Sequence, residues 1–125
     1  IKIRNRLRNV QILNKDAIQL ITQTDSPDTL FYIDPPYTVE TRGGTSDYKY
    51  EIDPKYHAEL SKVLLSVQGK FILSNYDDPV LRNMYKNCNI LEINTVSTVA
   101  QTARPTKIEL LIFNFKYSTQ QIKLL

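Results

Sequence analysis

The sequence contains little cysteine, histidine or glycine, and it contains no tryptophan. Its one cysteine, Cys88, cannot form an internal disulfide, which excludes a disulfide-stapled fold and fits a reducing compartment. One histidine and one cysteine cannot build a zinc site alone. No apolar run reaches the roughly 18 residues that a membrane-spanning helix needs. The first residues, IKIRNRLRNVQ, carry charges where a signal peptide needs an apolar stretch. We therefore expect a cytoplasmic protein without a metal or a membrane anchor.

The composition is that of one folded domain whose positive charge is concentrated at one end. The 125 residues are 42% hydrophobic and 23% charged, which predicts a single domain over residues 1–125. Four of the 16 basic residues stand in the first eight positions, and the rest of the chain is nearly balanced by 13 acidic residues. The net charge of +3 therefore indicates one basic segment. This segment, with Lys2, Arg4, Arg6 and Arg8, is either a solvated helix end or a contact for phosphate groups.

Strand and helix patterns alternate along the chain. Strands are predicted at residues 10–13, 30–33, 70–74, 90–98 and 108–115, and the second of these reads as buried on both faces. Helices are predicted to begin at the N-caps Asp16, Asp53 and Asp78, and Gly69 ends the second of them. Residues 26–28 form a turn, and Gly43–Gly44 mark a loop over residues 38–51. This alternation predicts an α/β sheet, mostly parallel, with helices on its faces.

The segment Asp34-Pro35-Pro36-Tyr37 follows directly on the apolar strand at residues 30–33. Ligands bind past the carboxyl ends of strands in such sheets, so this segment and residues 74–77 are candidate sites. Two prolines remove two N–H donors, and the Pro35 carbonyl and the Asp34 carboxylate can together accept both hydrogens of an exocyclic amine. Tyr37 offers a flat face to a base outside its duplex. The alternative is a rigid turn in which Asp34 caps a neighbour and Tyr37 packs in the core.

These residues, in this order, resemble a known enzyme family. LFYIDPPY at residues 30–37 resembles the catalytic motif of Dam-type adenine-N6 DNA methyltransferases. Weaker similarities follow the family's order: NKDA at 14–17, residues 48–64 with His57 and Leu60, KFILSNYD at 70–77 and TKIELLIFNF at 106–115. The resemblance spans about residues 10–115. It implies a Rossmann-like methyltransferase sheet with an antiparallel closing strand.

The resemblance also implies a reaction and a set of site residues. The reaction is methyl transfer from S-adenosyl-L-methionine to adenine N6 of a flipped base in double-stranded DNA. Asp34 and the Pro35 carbonyl would bind the amine, with Pro36 in the same motif, and Tyr37 would stack on the adenine. Cofactor contacts are implied for Asp16, Ala17 and Asp34, and DNA contacts for Tyr37, Thr38, Arg42, Thr45, Asn75 and Tyr76. Asp16 alternatively only caps a helix, Arg42 is alternatively solvated, and residues 75–77 alternatively cap the next helix.

Two parts of the family pattern are missing from this sequence. The Phe/Pro-x-Gly-x-Gly loop that holds the methionine end of the cofactor does not occur, and neither does a target-recognition region. The chain, which also lacks a starting Met, therefore resembles the C-terminal part of a catalytic domain. Without the first strands of the sheet, residues 10–13 have no obvious partner and the strand at 30–33 has an open edge. We expect the isolated chain to be inactive and to need a missing N-terminal half or a second chain.

Other candidate residues and other functions are weaker. His57 shares a helix face with Leu60 and Leu64, which favours a packed histidine, and Cys88 lacks a basic partner that would activate a thiolate. The leading interpretation is a DNA adenine-N6 methyltransferase of a bacterium, an archaeon or a phage. One alternative is a related enzyme that methylates cytosine N4, RNA or a protein amide. Another is a non-catalytic remnant of a restriction-modification or prophage gene, which binds DNA or a partner chain.

Overall fold

The computed structural model describes residues 2–36, 54–96 and 106–117, and these residues form one mixed sheet with four helices. The elements are α1 (Lys2–Arg6), α2 (Ala17–Thr24), β1 (Leu30–Ile33), α3 (Pro54–Ser66), β2 (Lys70–Tyr76), α4 (Pro79–Met84), β3 (Asn89–Val96) and β4 (Thr106–Phe113). The strand order is β1-β2-β4-β3. The α/β class is as predicted, since strands and helices alternate from α2 to β3.

The direction of the strands differs in part from the prediction. β1 and β2, which α3 connects, are parallel, but β4 runs antiparallel to both of its neighbours, β2 and β3. Only one of the three pairings between described strands is parallel, so the prediction of a mostly parallel sheet is wrong for this part of the chain. A parallel pair requires a crossover, and α3 supplies the one between β1 and β2. The antiparallel closing strand, in contrast, is confirmed in β4.

The core lies on one face of the sheet. The helices α2, α3 and α4 pack against the side chains of β2 and β4 that point to that face. The buried members are Ile21, Leu60, Leu64, Phe71, Leu73, Leu81, Leu110 and Ile112, together with Tyr85 just after α4. The prediction of helices on both faces is therefore not met within the described residues. On the opposite side, β1 exposes 58% of Leu30 and 66% of Tyr32.

The exposure of β1 corrects a second prediction. A continuous apolar run predicted a strand buried on both faces, but β1 is an edge strand whose alternate side chains are exposed and half-buried. Its second edge has no partner strand within the described ranges, as the missing first strands led us to expect. Burial on both faces needs a neighbouring layer on each side, and the described residues provide one layer.

The predicted first strand, residues 10–13, does not form. These residues have no strand conformation, and Val10, Ile12 and Leu13 are all about half exposed or more. An isolated strand leaves its backbone N–H and C=O groups without ladder partners, so it forms only beside another strand. The described residues offer no such neighbour. The apolar pattern of this segment therefore has no sheet to join here.

The turns and helix ends follow the sequence closely. Asp16 and Asp78 are the N-caps of α2 and α4 as predicted, whereas the predicted cap Asp53 lies outside the described residues. The predicted turn at 26–28 is present, closed by a 3.0 Å hydrogen bond from the Thr29 N–H to the Ser26 carbonyl. α3 begins at Pro54 and ends at Ser66, three residues before Gly69. Gly69 is therefore not the residue that ends this helix.

Candidate functional site

The Asp34-Pro35-Pro36 segment lies at the carboxyl end of β1, where its carboxylate is held by the next strand. Asp34 is exposed, Pro35 is buried and Pro36 is half-buried. The pairing of Ile33 with Leu73 brings the following residues, Asp34 and Ser74, side by side. The Ser74 hydroxyl donates a hydrogen bond of 2.9 Å to Asp34 Oδ1. The carboxylate is therefore anchored from β2 while the residue remains open to solvent.

Ser74 lies in the candidate segment at residues 74–77, but no contact or role was predicted for it. It is 1% exposed, and its hydroxyl also lies 3.5 Å from the Ile33 carbonyl. A buried hydroxyl that donates to a carboxylate makes a stronger bond than one between neutral groups, because the acceptor is charged. The signal for Ser74 was a polar residue in an apolar strand, at the register position next to Asp34. It could be used only once the two strands were known to pair.

A pocket of about 600 Å³ lies between α2, β1 and α3 and includes the Asp34-Pro35-Pro36 segment in its wall. Ala17, a predicted cofactor contact, also lines it, so the structure brings Ala17 and Asp34 to one cavity. The remaining wall is mostly apolar, from residues such as Leu20 and Ile33, with the side chain of Tyr56 among the polar exceptions. The cavity thus combines apolar walls with a carboxylate at its edge, as small-molecule sites commonly do.

Asp16 stands beside this pocket and makes two hydrogen bonds. Its Oδ1 accepts from the Gln19 N–H at 3.0 Å, which is the predicted helix cap. Its Oδ2 accepts from the Tyr56 hydroxyl at 3.2 Å and so connects α2 to α3. Burial raises the pKa of the Tyr56 hydroxyl, and the neighbouring charge of Asp16 raises it further. Tyr56 is thus a protonated donor that fixes the Asp16 carboxylate at the pocket margin.

Replacing Asp16 with alanine is expected to lower the free energy of unfolding by about 1 kcal/mol, the usual cost of a lost N-cap. The variant removes the acceptor for both the Gln19 N–H and the Tyr56 hydroxyl. Thermal or urea denaturation of the purified chain measures the change. Gln19→Ala is the matched control, because it alters an exposed side chain of the same helix and keeps the capped N–H. Equal stability of Asp16→Ala and wild type would contradict the capping role.

The other predicted DNA contacts at the end of β2 lie in two different environments. Asn75 is 1% exposed; its Oδ1 accepts from the Tyr76 N–H at 2.8 Å, and its Nδ2 is buried without a partner among the described residues. The Lys107 ammonium lies 4.6 Å from the centre of the Tyr76 ring. Neither Asn75 nor Tyr76 lines the pocket described above. The further candidates Tyr37, Thr38, Arg42 and Thr45 lie outside the described residues.

Residues 77 and 78, just before α4, make contacts that stabilise the fold. Asp78 Oδ1 caps α4 by accepting from the Val80 N–H at 2.6 Å. Asp77 forms an ion pair of 2.6 Å with Arg82, and this hydrogen bond holds the pKa of the Asp77 carboxyl below its usual range. Arg82 also pairs with Glu92 on β3 at 2.6 Å. The N-cap of α4 is Asp78 and none of residues 75–77, so the capping alternative for residues 75–77 is not confirmed.

The two remaining reactive side chains are inside the fold. Cys88 is half-buried, and burial raises the pKa of its thiol, which agrees with its exclusion as a nucleophile. His57 is 5% exposed, as expected of a packed histidine. No group of three or more metal-ligating side chains occurs among the described residues. No described helix is long and apolar enough to cross a membrane.

Comparison with known proteins identifies the family. The family model of the D12 class N6 adenine-specific DNA methyltransferases matches residues 1–99. The chain belongs to this family. The match includes Asp16, the Asp34-Pro35-Pro36 segment and Ser74, while β4 lies beyond it. A search of curated proteins finds no match to the chain. Membership of the D12 class identifies DNA as the family's substrate and adenine N6 as the atom that its enzymes methylate.

Proposed function

We propose that this chain carries the amine-binding part of an S-adenosyl-L-methionine-dependent DNA adenine-N6 methyltransferase. The observation that carries the proposal is the exposed Asp34 carboxylate, anchored by buried Ser74 at the carboxyl end of β1 and followed by two prolines. The D12 family membership supplies the substrate class. In finer detail, we assign the four described strands to one half of a Rossmann-like methyltransferase sheet, with β4 as its closing strand.

The chemistry follows from the acceptors that the segment presents. The Asp34 carboxylate and the Pro35 carbonyl each accept one hydrogen of the adenine amine, which directs the nitrogen lone pair away from both acceptors. The nitrogen would take the methyl group from the sulfonium as the carbon–sulfur bond breaks, and the negative Asp34 carboxylate would stabilise the positive charge that the nitrogen gains. The surplus N–H proton would then leave to solvent. The amine is paired inside a duplex, so the base must leave the helix before Asp34 can bind it. Tyr37 is proposed to stack on the flipped adenine.

The pocket fits part of S-adenosyl-L-methionine. Its apolar walls and its volume suit the adenine moiety, and Ala17, Asp34 and the Asp16–Tyr56 pair are the residues that would hold it. When bound, the cofactor supplies an electrophilic methyl group on a sulfonium. The glycine loop for the methionine end is not in the sequence. The residues present therefore fit one end of the cofactor, and another segment must hold the other end.

The edge of β1 that has no partner strand among the described residues supports the proposal that a missing half completes this enzyme. Leu30 and Tyr32 are more than half exposed on that strand, beside the pocket that they help to line. An apolar edge strand with unpaired backbone groups favours pairing with a further strand. We therefore propose that a segment bearing the glycine loop, in the same or another chain, pairs there. The isolated chain is expected to be inactive.

The test supplies the missing half and measures the product. The chain is fused to the N-terminal half of a D12-class enzyme, and transfer of labelled methyl groups to unmethylated double-stranded DNA is measured with S-adenosyl-L-methionine. We expect labelled N6-methyladenine with the fusion and none with the 125-residue chain alone. Label in cytosine, RNA or protein in place of adenine would favour the related enzymes. Robust transfer by the unfused chain would contradict the need for a second half.

Ser74→Ala is expected to lower kcat of the fused enzyme roughly 4- to 12-fold. The substitution removes the donor that anchors Asp34 and leaves the carboxylate itself in place. A hydrogen bond to a charged group contributes about 1.5–3 kcal/mol, and we expect roughly half of this to appear in the rate. Ser66→Ala is the matched control, because its hydroxyl bonds only within α3. Unchanged kcat in Ser74→Ala would show that Asp34 needs no anchor.

A further inference from the structure

The basic segment at the start of the described chain contributes nothing to the core. No residue of α1 is buried, and its first turn contains no acidic residue. The four cationic side chains of the segment are all exposed: Lys2, Arg4, Arg6 and Arg8. The ion pairs among the described residues join Arg82 to Asp77 and to Glu92, and none of them involves this segment. These positive charges therefore lack a counter-charge in the described part of the fold.

The arrangement of the charges is unfavourable for the helix itself. Lys2 and Arg6 stand four residues apart in α1. Side chains at that spacing are neighbours on a helix, and like charges there are destabilising. α1 also has five residues, fewer than an isolated helix needs for stability in water. The charges thus give no stability to the chain alone, whereas a bound polyanion would offset their repulsion.

Arg4 and Arg8 converge on one concavity of the surface. Its volume is about 560 Å³, and its other lining residues are Ile3, Asn5 and Leu7. The Leu7 N–H donates to the Ile3 carbonyl at 3.1 Å, so the helical turn continues beyond α1 and brings Arg8 to the side of Arg4. A guanidinium presents a planar fork of N–H donors that suits phosphate oxygens, and the Asn5 amide adds a further donor. The donors of this surface therefore suit the phosphates of a polyanion.

Duplex DNA is the polyanion that a member of this family meets, because the family acts on DNA. A duplex carries one negative charge per about 1.7 Å of its axis. Residues 7–15 connect α1 to Asp16, which lies beside the pocket, and this connection spans at most about 35 Å. That reach is about one helical turn of DNA. The basic segment can therefore contact the same duplex from which an adenine is bound at Asp34.

We propose that the basic segment is a contact for the DNA backbone, in which each of its four cationic side chains neutralises one phosphate and Arg4 and Arg8 grip the backbone together at their shared concavity. Phosphates are alike at every base step, so this contact positions the duplex and does not read its sequence. The link to base binding at Asp34 rests on the proposed function, whereas the phosphate contact itself does not. An acidic surface on a partner chain is the competing occupant.

The first test measures the affinity of the 125-residue chain for duplex DNA at several salt concentrations. Each neutralised phosphate contributes about 0.9 to the slope of log K against log salt concentration. Arg4→Gln/Arg8→Gln should therefore reduce the magnitude of the slope by about 1.8, whatever the DNA sequence. Lys62→Gln/Lys86→Gln is the matched control, because it removes the same charge from exposed positions elsewhere on the fold and should leave the slope nearly unchanged. Equal slopes in the two double variants, or no binding of wild type at about 50 mM salt, would overturn the proposal.

The second test uses the fused enzyme and separates DNA from a protein partner. Arg4→Gln/Arg8→Gln should raise KM for DNA, most strongly at low salt, and should leave kcat and the melting temperature unchanged, because both side chains are exposed and neither is placed at the reacting atoms. Arg4→Lys/Arg8→Lys should retain most of the salt slope, since lysine keeps the charge and loses only the planar fork.

A lower melting temperature of the fused glutamine variant with an unchanged salt slope would mean that the segment packs against the added half, and would overturn the proposal. Absence of methyl transfer by the wild-type fusion would count against the proposed function alone, because the salt slope of the 125-residue chain is measured without cofactor or turnover.

Discussion

Replacing Asp34 with alanine is expected to lower methyl transfer by the fused enzyme at least about 100-fold, the scale of losing one preorganised group that stabilises developing charge. Asp34 supplies the only carboxylate in the wall of the pocket, among the residues that the structure describes. The substitution removes both an acceptor for the amine and the negative charge that opposes the developing positive nitrogen. Asp34→Asn keeps an acceptor for Ser74 but loses the charge, so its activity should be nearly as low.

Stability and binding measurements separate this effect from a general loss of structure. Asp34 is exposed at the end of an edge strand, so its removal should cost about 1 kcal/mol, mainly through the lost acceptor for buried Ser74. Cofactor affinity should change little, because the pocket walls remain. Asp28→Ala, which alters an exposed aspartate in the turn before β1, is the matched control and should leave transfer unchanged. Substantial transfer by Asp34→Ala would refute the role assigned to this carboxylate.

The sequence predicted that a strand ends just before Asp34, because the apolar run and the two prolines are consecutive residues; the chemistry proposed for Asp34 stays a prediction. A run of apolar residues, one acid and two prolines gives a strand end with two acceptors whatever surrounds it. The partners of this segment could not be predicted in the same way. Ser74 lies 40 residues after Asp34 and reaches it through the register of β1 and β2. Its role depends on tertiary structure, which no local pattern contains.

The predictions that failed also depended on tertiary contacts. The apolar patterns of residues 10–13 and of β1 were interpreted as a strand and as burial on both faces. Both outcomes need a neighbour: a second strand in one case and a second layer in the other. The described part of the chain contains neither, so the first segment is irregular and Leu30 and Tyr32 remain exposed. An apolar pattern favours a strand or a buried face, but the strand forms or the face is buried only where a neighbouring strand or layer is present.

Gly69 has a structural role that differs from the predicted one. Its position after an amphipathic helix predicted a helix stop, yet α3 ends at Ser66. The need for glycine comes from space: a Cβ at this position would lie 2.7 Å from the carbonyl oxygens of both Ser26 and Thr29. The Asp25 carboxylate also joins the end of α2 to this segment, because it accepts hydrogen bonds from the Gln68 N–H at 2.8 Å and the Gly69 N–H at 3.0 Å. The turn after α2 and the start of β2 are thus pressed together at Gly69.

Gly69→Ala is therefore expected to be severely destabilising, by about 3 kcal/mol, which is near the upper end for overpacking a close contact. Backbone atoms cannot rotate aside as a side chain can, so the added methyl group must push the turn away from β2. That movement strains the Asp25 hydrogen bonds and the 2.8 Å bond from the Lys70 N–H to the Thr29 carbonyl, which continues the pairing of β1 with β2. The loss is a large share of the roughly 5–15 kcal/mol that stabilises a domain.

Denaturation of the purified chain tests this expectation without DNA or cofactor. The melting temperature of Gly69→Ala should fall by about 10 °C relative to wild type. The adjacent Gln68→Ala changes an exposed side chain and keeps the N–H that Asp25 accepts, so it should stay within about 0.5 kcal/mol of wild type. A melting temperature of Gly69→Ala equal to that of Gln68→Ala would mean that the turn can yield. In that case the close contact between α2 and β2 does not fix the register of β1. The position of Asp34 beside Ser74 then depends on other contacts.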